Sequence, residues 1–297
     1  MKIFVTGATG FIGKRLLPKF SQFDEVYILC RRDPGEVPEF VQPLIGDLDF
    51  PHGVFSRLAE IRPDACIHLA WGGIPDYGFD QSFRNLQQGT QLIHHLAEKC
   101  GCKKIIVPGS CWEYGKSFGA CREDECCQGG NYFIWAKRAL LDFGLILAAR
   151  CQFSFVWPRL FYVYGPGQRP GSLIPTITDA VIKGRQPDIQ TPFNANDFVY
   201  VDDVAAALLQ MVKSDIKTGI YNIGSGITVP VWKVCEVVER SLGWEPINAV
   251  KFKSMKGSAV ADFCADTTKT ESSLDWRANI SLEKGIELYL RSLEVQQ

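Results

Sequence analysis

The sequence lacks an excess of either charge: 32 Lys and Arg offset 33 Asp and Glu, leaving a formal charge of −1. Nucleic-acid binding rests on a basic excess or stripe, so the balance excludes that class of partner. No apolar run approaches the ~18 residues of a membrane-spanning helix, which excludes a membrane partner. A signal-peptide core is missing as well, because Met1-Lys2-Ile3-Phe4-Val5-Thr6-Gly7 reaches glycine too soon. The expectation is a cytoplasmic protein. The 11 cysteines are odd in number and lack paired Cys-x2-Cys spacing. Cys100 and Cys102, Cys126 and Cys127, and the scattered Cys111 and Cys121 suggest neither a disulfide framework nor a zinc site. Reduced packing thiols and no metal are expected. Histidine is scarce, with four in all. His94 and His95 lack the i,i+4 spacing of a helical metal site, and His68 reads as a satisfied core imidazole. Internal repeats and low-complexity segments do not occur.

What is present is a globular balance, with 46% hydrophobic and 22% charged residues over 297 positions. That is long for one core and short for three domains. Apolar runs at 3–5, 26–29, 41–45, 65–70, 104–107 and 153–157 alternate with helical patterns near 11–20, 54–61, 81–99 and 132–150. Such alternation predicts a parallel sheet covered on both faces, and right-handed crossovers make it doubly wound, with ligands at the carboxyl ends of its strands. Past about residue 160 the pattern changes to the turn-rich Tyr164-Gly165-Pro166-Gly167-Gln168-Arg169-Pro170-Gly171. A strand at 198–201 and helices at 174–183, 204–213, 231–242 and 282–293 follow. The predicted fold class is α/β. A doubly wound parallel (Rossmann) sheet over 1–162, with 197–222 returning to it, carries a smaller mixed α/β substrate domain of 163–196 and 223–297.

Thr6-Gly7-Ala8-Thr9-Gly10-Phe11-Ile12-Gly13 follows the first strand and opens the first helix. Gly7 allows a tight turn, Gly10 lets backbone approach a pyrophosphate, and Gly13 packs helix on strand. The helix end offers N–H groups to phosphate. Thr9, Phe11 and Ile12 join these glycines as expected cofactor contacts. At the end of the second strand an NAD-selective site places a carboxylate on the ribose 2′-hydroxyl. Here that place holds Cys30, followed by Arg31-Arg32. Guanidinium groups grip a 2′-phosphate bidentately, so NADP(H) is expected over NAD(H). A solvated rim is the alternative reading of the two arginines. Asp47, after the third strand, is placed to accept a hydrogen bond from adenine. Leu48, Leu69, Ala70 and Leu160 complete the expected cofactor contacts.

The pieces TGATGFIG at 6–13, GDL at 46–48, HLAW at 68–71, GSCWEYG at 109–115 and WAK at 135–137 continue with RLFYVYGPGQ at 159–168, DFVYVDDVA at 197–205 and YNIGSG at 221–226. With them the chain resembles the extended short-chain dehydrogenase/reductases that act on nucleotide-sugars. The resemblance implies a nicotinamide cofactor in the first domain and a nucleotide-diphosphate sugar under the second. It also implies a homodimer through the helix at 132–150 and the helix before it, and the former is apolar on more than one stripe. In that family a Tyr, a Lys four residues later and a Ser or Thr carry the chemistry. The Tyr hydroxyl exchanges a proton with a sugar oxygen, and the lysine charge lowers the phenol pKa. Ser110 and Lys137 match, but Phe133 stands at the tyrosine position. Tyr132 is a poor substitute, since a four-residue helical step leaves side chains ~40° apart and a five-residue step ~140° apart. Three explanations stay open: a Tyr→Phe change in this sequence, another acid, or an inactive protein. The intact surroundings favour the first.

Dehydratases of the family follow the Ser or Thr with Asp-Glu, where this chain has Cys111-Trp112. A thiol and an indole cannot do paired carboxylate work. Glu113 comes next, but strand alternation is expected to turn it to the other face. An epimerase of this group retains its cofactor, usually NAD, whereas a reductase releases it each turnover and suits NADPH. Arg31-Arg32 therefore tilts the reading toward NADPH-dependent 4-keto reduction of a nucleotide-diphosphate 4-keto-6-deoxy sugar. The likeness in length and in LFYVYGPGQ to abequose-synthase-type reductases implies the same. A C4 epimerase and a non-catalytic NADP(H) sensor or scaffold are the alternatives. Asn196 stands where the family often has an Arg that contacts diphosphate, and Tyr162 where an Asn is common. Arg169, Lys253 and Lys256 are candidates to supply charge there. Trp71, Cys111 and Trp112 are expected to meet the substrate.

Overall fold

In the first half, strands form where apolar runs can be buried by helices on either side. They are β1 (Lys2–Thr6), β2 (Glu25–Cys30), β3 (Val41–Ile45), β4 (Ala65–His68), β5 (Lys104–Ile106), the two-residue β6 (Gly109–Ser110) and β7 (Phe118–Cys121). β8 (Ser154–Leu160), β9 (Tyr162–Tyr164), β10 (Ala195–Tyr200), β11 (Gly219–Ile223), β12 (Thr228–Pro230) and β13 (Asp262–Ala265) follow. The helices are α1 (Phe11–Leu16), α2 (His52–Ile61), α3 (Phe79–His95), α4 (Tyr132–Cys151) and α5 (Leu173–Ile182). Then come α6 (Val201–Lys213), α7 (Val231–Ser241), α8 (Ile247–Ser254), α9 (Thr268–Leu274) and α10 (Leu282–Glu294). These elements come from a computed structural model that describes residues 1–22, 24–115, 118–125, 130–255 and 257–294. Cys126, Cys127 and Lys256 lie outside the described residues.

The large sheet runs β11-β8-β5-β4-β1-β2-β3, with β6 beside β8, and every pairing is parallel. The order reverses at β1, which lies between β2 and β4, so a crevice opens at the carboxyl ends of β1 and β4. One face packs Ile3, Val5 and Ile28 against Leu16 of α1 and Leu208 and Met211 of α6. The other packs Phe4, Cys66 and Phe155 against Leu58 of α2, Leu92 of α3 and Leu140 of α4. A second sheet runs β12-β10-β13-β7, with β9 beside β10. Only its β10–β12 pairing is antiparallel. Ile177 of α5, Val234 of α7, Phe252 of α8 and Ile286 of α10 share its core.

This is the expected α/β class, with differences in detail. β10 starts earlier than the predicted strand and ends at Tyr200, and Val201 already opens α6. β10 belongs to the second sheet, whereas α6 and β11 lie with the first. The sheets are joined by buried polar groups. Asp197 of β10 accepts hydrogen bonds from the N–H groups of Ser225 (2.6 Å), Gly226 (2.9 Å) and Ala265 (3.0 Å). The Asn222 amide of β11 donates to Cys121 O (2.7 Å) and Asp266 O (3.1 Å).

Candidate active site

The turn after β1 is possible because Gly7 has φ +69° and no side chain: a Cβ there would stand 2.7 Å from Ala70 N. A Cβ on Gly13 would stand 2.4 Å from Gly7 O, so α1 sits directly on the loop. Gly10 caps α1 with no side-chain bond, and the first N–H groups of the helix have no partner within it. Gly7, Thr9, Gly10, Phe11, Ile12 and Gly13 line a crevice of about 730 Å³, an arrangement that can take an anion. Arg31, Asp47 and Leu48 border it, as do Leu69, Ala70, Trp71 and Leu160, and Ser110, Phe133 and Lys137. Arg32, next to Arg31 in the bend after β2, does not line it.

The sequence reading missed part of this wall. Gln81, Arg84, Asn85 and Gln88 of α3 line the crevice beside Asp49. The Asp49 carboxylate accepts from Arg84 Nε (2.8 Å) and Gln88 Nε2 (2.6 Å), and its N–H donates to Asp47 Oδ1 (3.0 Å). Asn85 holds the loop after β4 by accepting from Gly72 N (2.9 Å) and donating to Gly72 O (3.0 Å). The signal was available: polar residues at i, i+3, i+4 and i+7 mark a polar helical stripe just ahead of the apolar Leu92 and Ile93.

Ser110 caps a single 3₁₀ turn, Cys111–Tyr114. Its Oγ accepts from Trp112 N (3.3 Å), while Glu113 Oε1 accepts from Ser110 N (2.7 Å). Glu113 does avoid the cavity, but for a different reason from strand alternation. The turn folds it back into the core, where it accepts from Trp157 Nε1 (3.1 Å) and Arg159 Nε (3.0 Å). Phe133 and Lys137 share one face of α4, as their four-residue spacing requires. Lys137 Nζ donates to Pro108 O (2.8 Å) and lies 3.6 Å from the centre of the Trp71 ring and 6.0 Å from that of Phe133. Burial pushes this ammonium down to about 7, opposed by the Glu113 charge. Tyr132 is 54% exposed and packs edge-on against Phe79, away from the site.

A second cavity of about 670 Å³ adjoins the first, and Phe11, Ile74, Ser110, Phe133, Leu160 and Phe161 line both. Cys111, Trp112, Tyr162 and Arg169 border it, with Tyr77 and Phe198. Burial holds the Cys111 thiol well above its ordinary value, so it stays protonated. Trp71 borders only the first cavity, with its ring face beneath Lys137. Asn196 reaches neither cavity. It is buried in β10, one pleat period from the cavity-lining Phe198. Lys253 also lies away from both, with its ammonium 4.7 Å from the centre of the Trp232 ring.

His68 corrects an expectation. Thr6 Oγ1 accepts from Ala70 N (3.2 Å) and shares a hydrogen bond with His68 Nδ1 (2.7 Å). Burial, with the Lys137 charge adding to it, pushes the imidazole down to about 3, so the ring is neutral. Nε2 is buried without a partner in the structure, so the ring is only half satisfied. It abuts Gly89, beside the apolar Leu140 side chain, which offers no acceptor. Among the described residues no three His, Cys, Asp or Glu side chains gather as metal ligands, and no helix is long and apolar enough to cross a membrane.

Comparison with known proteins gives this geometry a family. The chain is similar to CDP-abequose synthase of Salmonella muenchen, with 25% identity over 99% of this chain and 98% of that protein. It is similar to dTDP-4-dehydro-6-deoxyglucose reductase of Escherichia coli, with 24% identity over 98% of this chain and 97% of that one. The solved structure of MoeE5 in complex with UDP-glucose and NAD superposes with a TM-score of 0.82 and 27% identity, over 100% of this chain and 99% of that one. The profile of the NAD dependent epimerase/dehydratase family matches residues 3–224, and the chain belongs to that family, within its nucleotide-sugar group of extended short-chain dehydrogenase/reductases.

Proposed function

We propose that the chain reduces the 4-keto group of a nucleotide-diphosphate 4-keto-6-deoxy sugar with NADPH. The observation that carries this reading is that Ser110 and Phe133 line both cavities, with Lys137 beside Phe133 on the wall of the first. Both volumes fall in the range of about 300–1,000 Å³ usual for small-molecule sites. The first cavity suits a dinucleotide. The loop over Gly10–Gly13 would hold its diphosphate, Arg31 a 2′-phosphate, Asp47 the adenine and Lys137 the nicotinamide ribose. When bound and reduced, that group supplies a hydride. Arg31, with Cys30 rather than a carboxylate at the end of β2, supports NADP(H) over NAD(H), although the relative MoeE5 is seen with NAD. The second cavity would take the nucleotide-sugar, with Arg169 toward the diphosphate and Trp112 and Tyr162 along its wall.

Ser110 can orient the sugar oxygen. Its Oγ accepts from Trp112 N–H and borders both cavities, where a sugar oxygen would compete with the Cys111 sulfur for its hydroxyl proton. Lys137 brings positive charge to the same corner, and Trp71 and Phe133 keep water from its flank. The names of two relatives, a CDP-abequose synthase and a 4-dehydro-6-deoxyglucose reductase, support reduction, and UDP-glucose 4-epimerases of similar identity keep epimerisation as the alternative. The test incubates the Phe133→Tyr protein with NADPH and a panel of 4-keto-6-deoxy nucleotide-sugars while nicotinamide absorbance is followed. Consumption with at least one sugar is expected. Tight NADPH binding without consumption would favour a sensor, and oxidised cofactor retained through purification would favour the epimerase.

A homodimer through α3 and α4 belongs to the same reading. Phe79, Phe83, Tyr132 and Trp135 form an exposed aromatic patch across the two helices, with Phe79 and Phe83 stacked at 5.5 Å.

A further inference from the structure

We propose that Tyr77 is a catalytic residue whose phenol donates the proton that Phe133 cannot. The inference rests on the reductase reading and selects the second of the three explanations for Phe133, another acid. Tyr77 lies in the loop between β4 and α3 and borders the second cavity with Ser110 and Phe133. Its ring centre is 5.5 Å from that of Phe133, edge-on, and 5.4 Å from that of Trp112. The loop is fixed on both sides of it. Asn85 clamps Gly72 at one end, and at the other Asp76 N donates to Gly73 O (2.7 Å) while Asp76 Oδ1 accepts from Gly78 N (2.8 Å). A phenol so held can be aimed, which proton transfer requires.

The other phenols are engaged or turned away. Tyr164 donates toward Ser281 O (3.4 Å) and Tyr114 to Asn222 Oδ1 (2.7 Å), while Tyr162 keeps its proton but has its oxygen held by the Trp112 indole N–H (3.3 Å) and its phenol pushed up to about 12 by burial. Tyr132 faces solvent. Among the described residues, Tyr77 is the phenol bordering either cavity whose hydroxyl makes no hydrogen bond.

In the step, sugar C4 gains a C–H bond from the hydride of the reduced nicotinamide dinucleotide. The carbonyl π pair moves onto oxygen, and that oxygen takes the Tyr77 proton. A proton drawn from bulk solvent, relayed through water in the open cavity, restores the phenol before the next turnover.

The test compares the unaltered protein, Tyr77→Phe, Phe133→Tyr and the double variant with NADPH and the 4-keto-sugar panel. Turnover by the unaltered protein is expected. Tyr77→Phe should lower kcat at least about 100-fold with little change in KM, and the double variant should recover turnover. A second readout needs no turnover. By calorimetry without cofactor, Tyr77→Phe should bind the 4-keto sugar about fivefold more weakly and its 4-deoxy counterpart unchanged. Equal turnover by Tyr77→Phe, or activity only after Phe133→Tyr, would overturn the proposal and leave the reductase reading standing. Equal weakening for both sugars would reduce Tyr77 to a packing role. Silence from every protein on every sugar would overturn the reductase reading and this proposal with it.

Discussion

Lys137 buries a positive charge, and the cost of doing so can be read from its pH dependence. Its folded value is about 7 against an ordinary 10.5, with burial as the main cause. Below pH 7 the amine is charged in both folded and unfolded chains, and the burial cost is fully present. Between 7 and 10.5 only the unfolded chain holds the proton, so stability rises with pH. Above 10.5 both forms are neutral and the cost is gone. The difference corresponds to about 5 kcal/mol at most. Lys137→Met removes this titration while roughly keeping the length of the side chain. Urea unfolding of both proteins, without ligands, at pH 6 and pH 10 isolates the effect, because other titrations cancel in the comparison. The variant should be the more stable by several kcal/mol at pH 6, and the gap should shrink strongly by pH 10. A gap that stays constant across the window would refute the argument that Lys137 is charged and desolvated in the folded protein.

Glu113→Leu removes the carboxylate that accepts from Trp157, from Arg159, whose side chain is 3% exposed, and from the Ser110 N–H. It should destabilise by about 3–5 kcal/mol, seen as a lower urea midpoint. Arg31→Ala should weaken NADPH binding about tenfold or more and leave NADH nearly unchanged, measured by fluorescence titration. Equal losses for both cofactors would place Arg31 away from the 2′-phosphate. Phe83→Asp with Trp135→Asp puts charge into the aromatic patch and should convert a dimer to monomers in sedimentation velocity.

The large sheet was legible because β1, β2, β4, β5 and β8 are apolar runs and helices follow β1, β3 and β4, with β3 at the predicted 41–45. The second sheet was not, since β7, β9, β12 and β13 are three or four residues long and no periodicity can emerge over so few. The glycine loop was readable residue by residue, because a positive φ and close backbone approach leave glycine no substitute. The Phe133–Lys137 face followed from helical geometry alone, and so did the outward turn of Tyr132. Glu113 avoids the cavities as expected, but through the Ser110-capped turn rather than strand alternation. Asn196 and Arg32 stand at motif positions but line neither cavity: a motif position says which residue is present, while the fold decides what it meets. Tyr77 was passed over because only the fold brings its loop against α4.

The central claim is that this chain moves hydrogen to a sugar carbon, and label transfer tests it most directly. NADPH carrying deuterium at the transferable position of nicotinamide C4 would be incubated with the protein, in its unaltered and Phe133→Tyr forms, and each 4-keto sugar, followed by mass spectrometry of the sugar. The account predicts one deuterium at sugar C4 for each NADPH consumed. A sugar that stays unlabelled and a cofactor that keeps all its deuterium would contradict it.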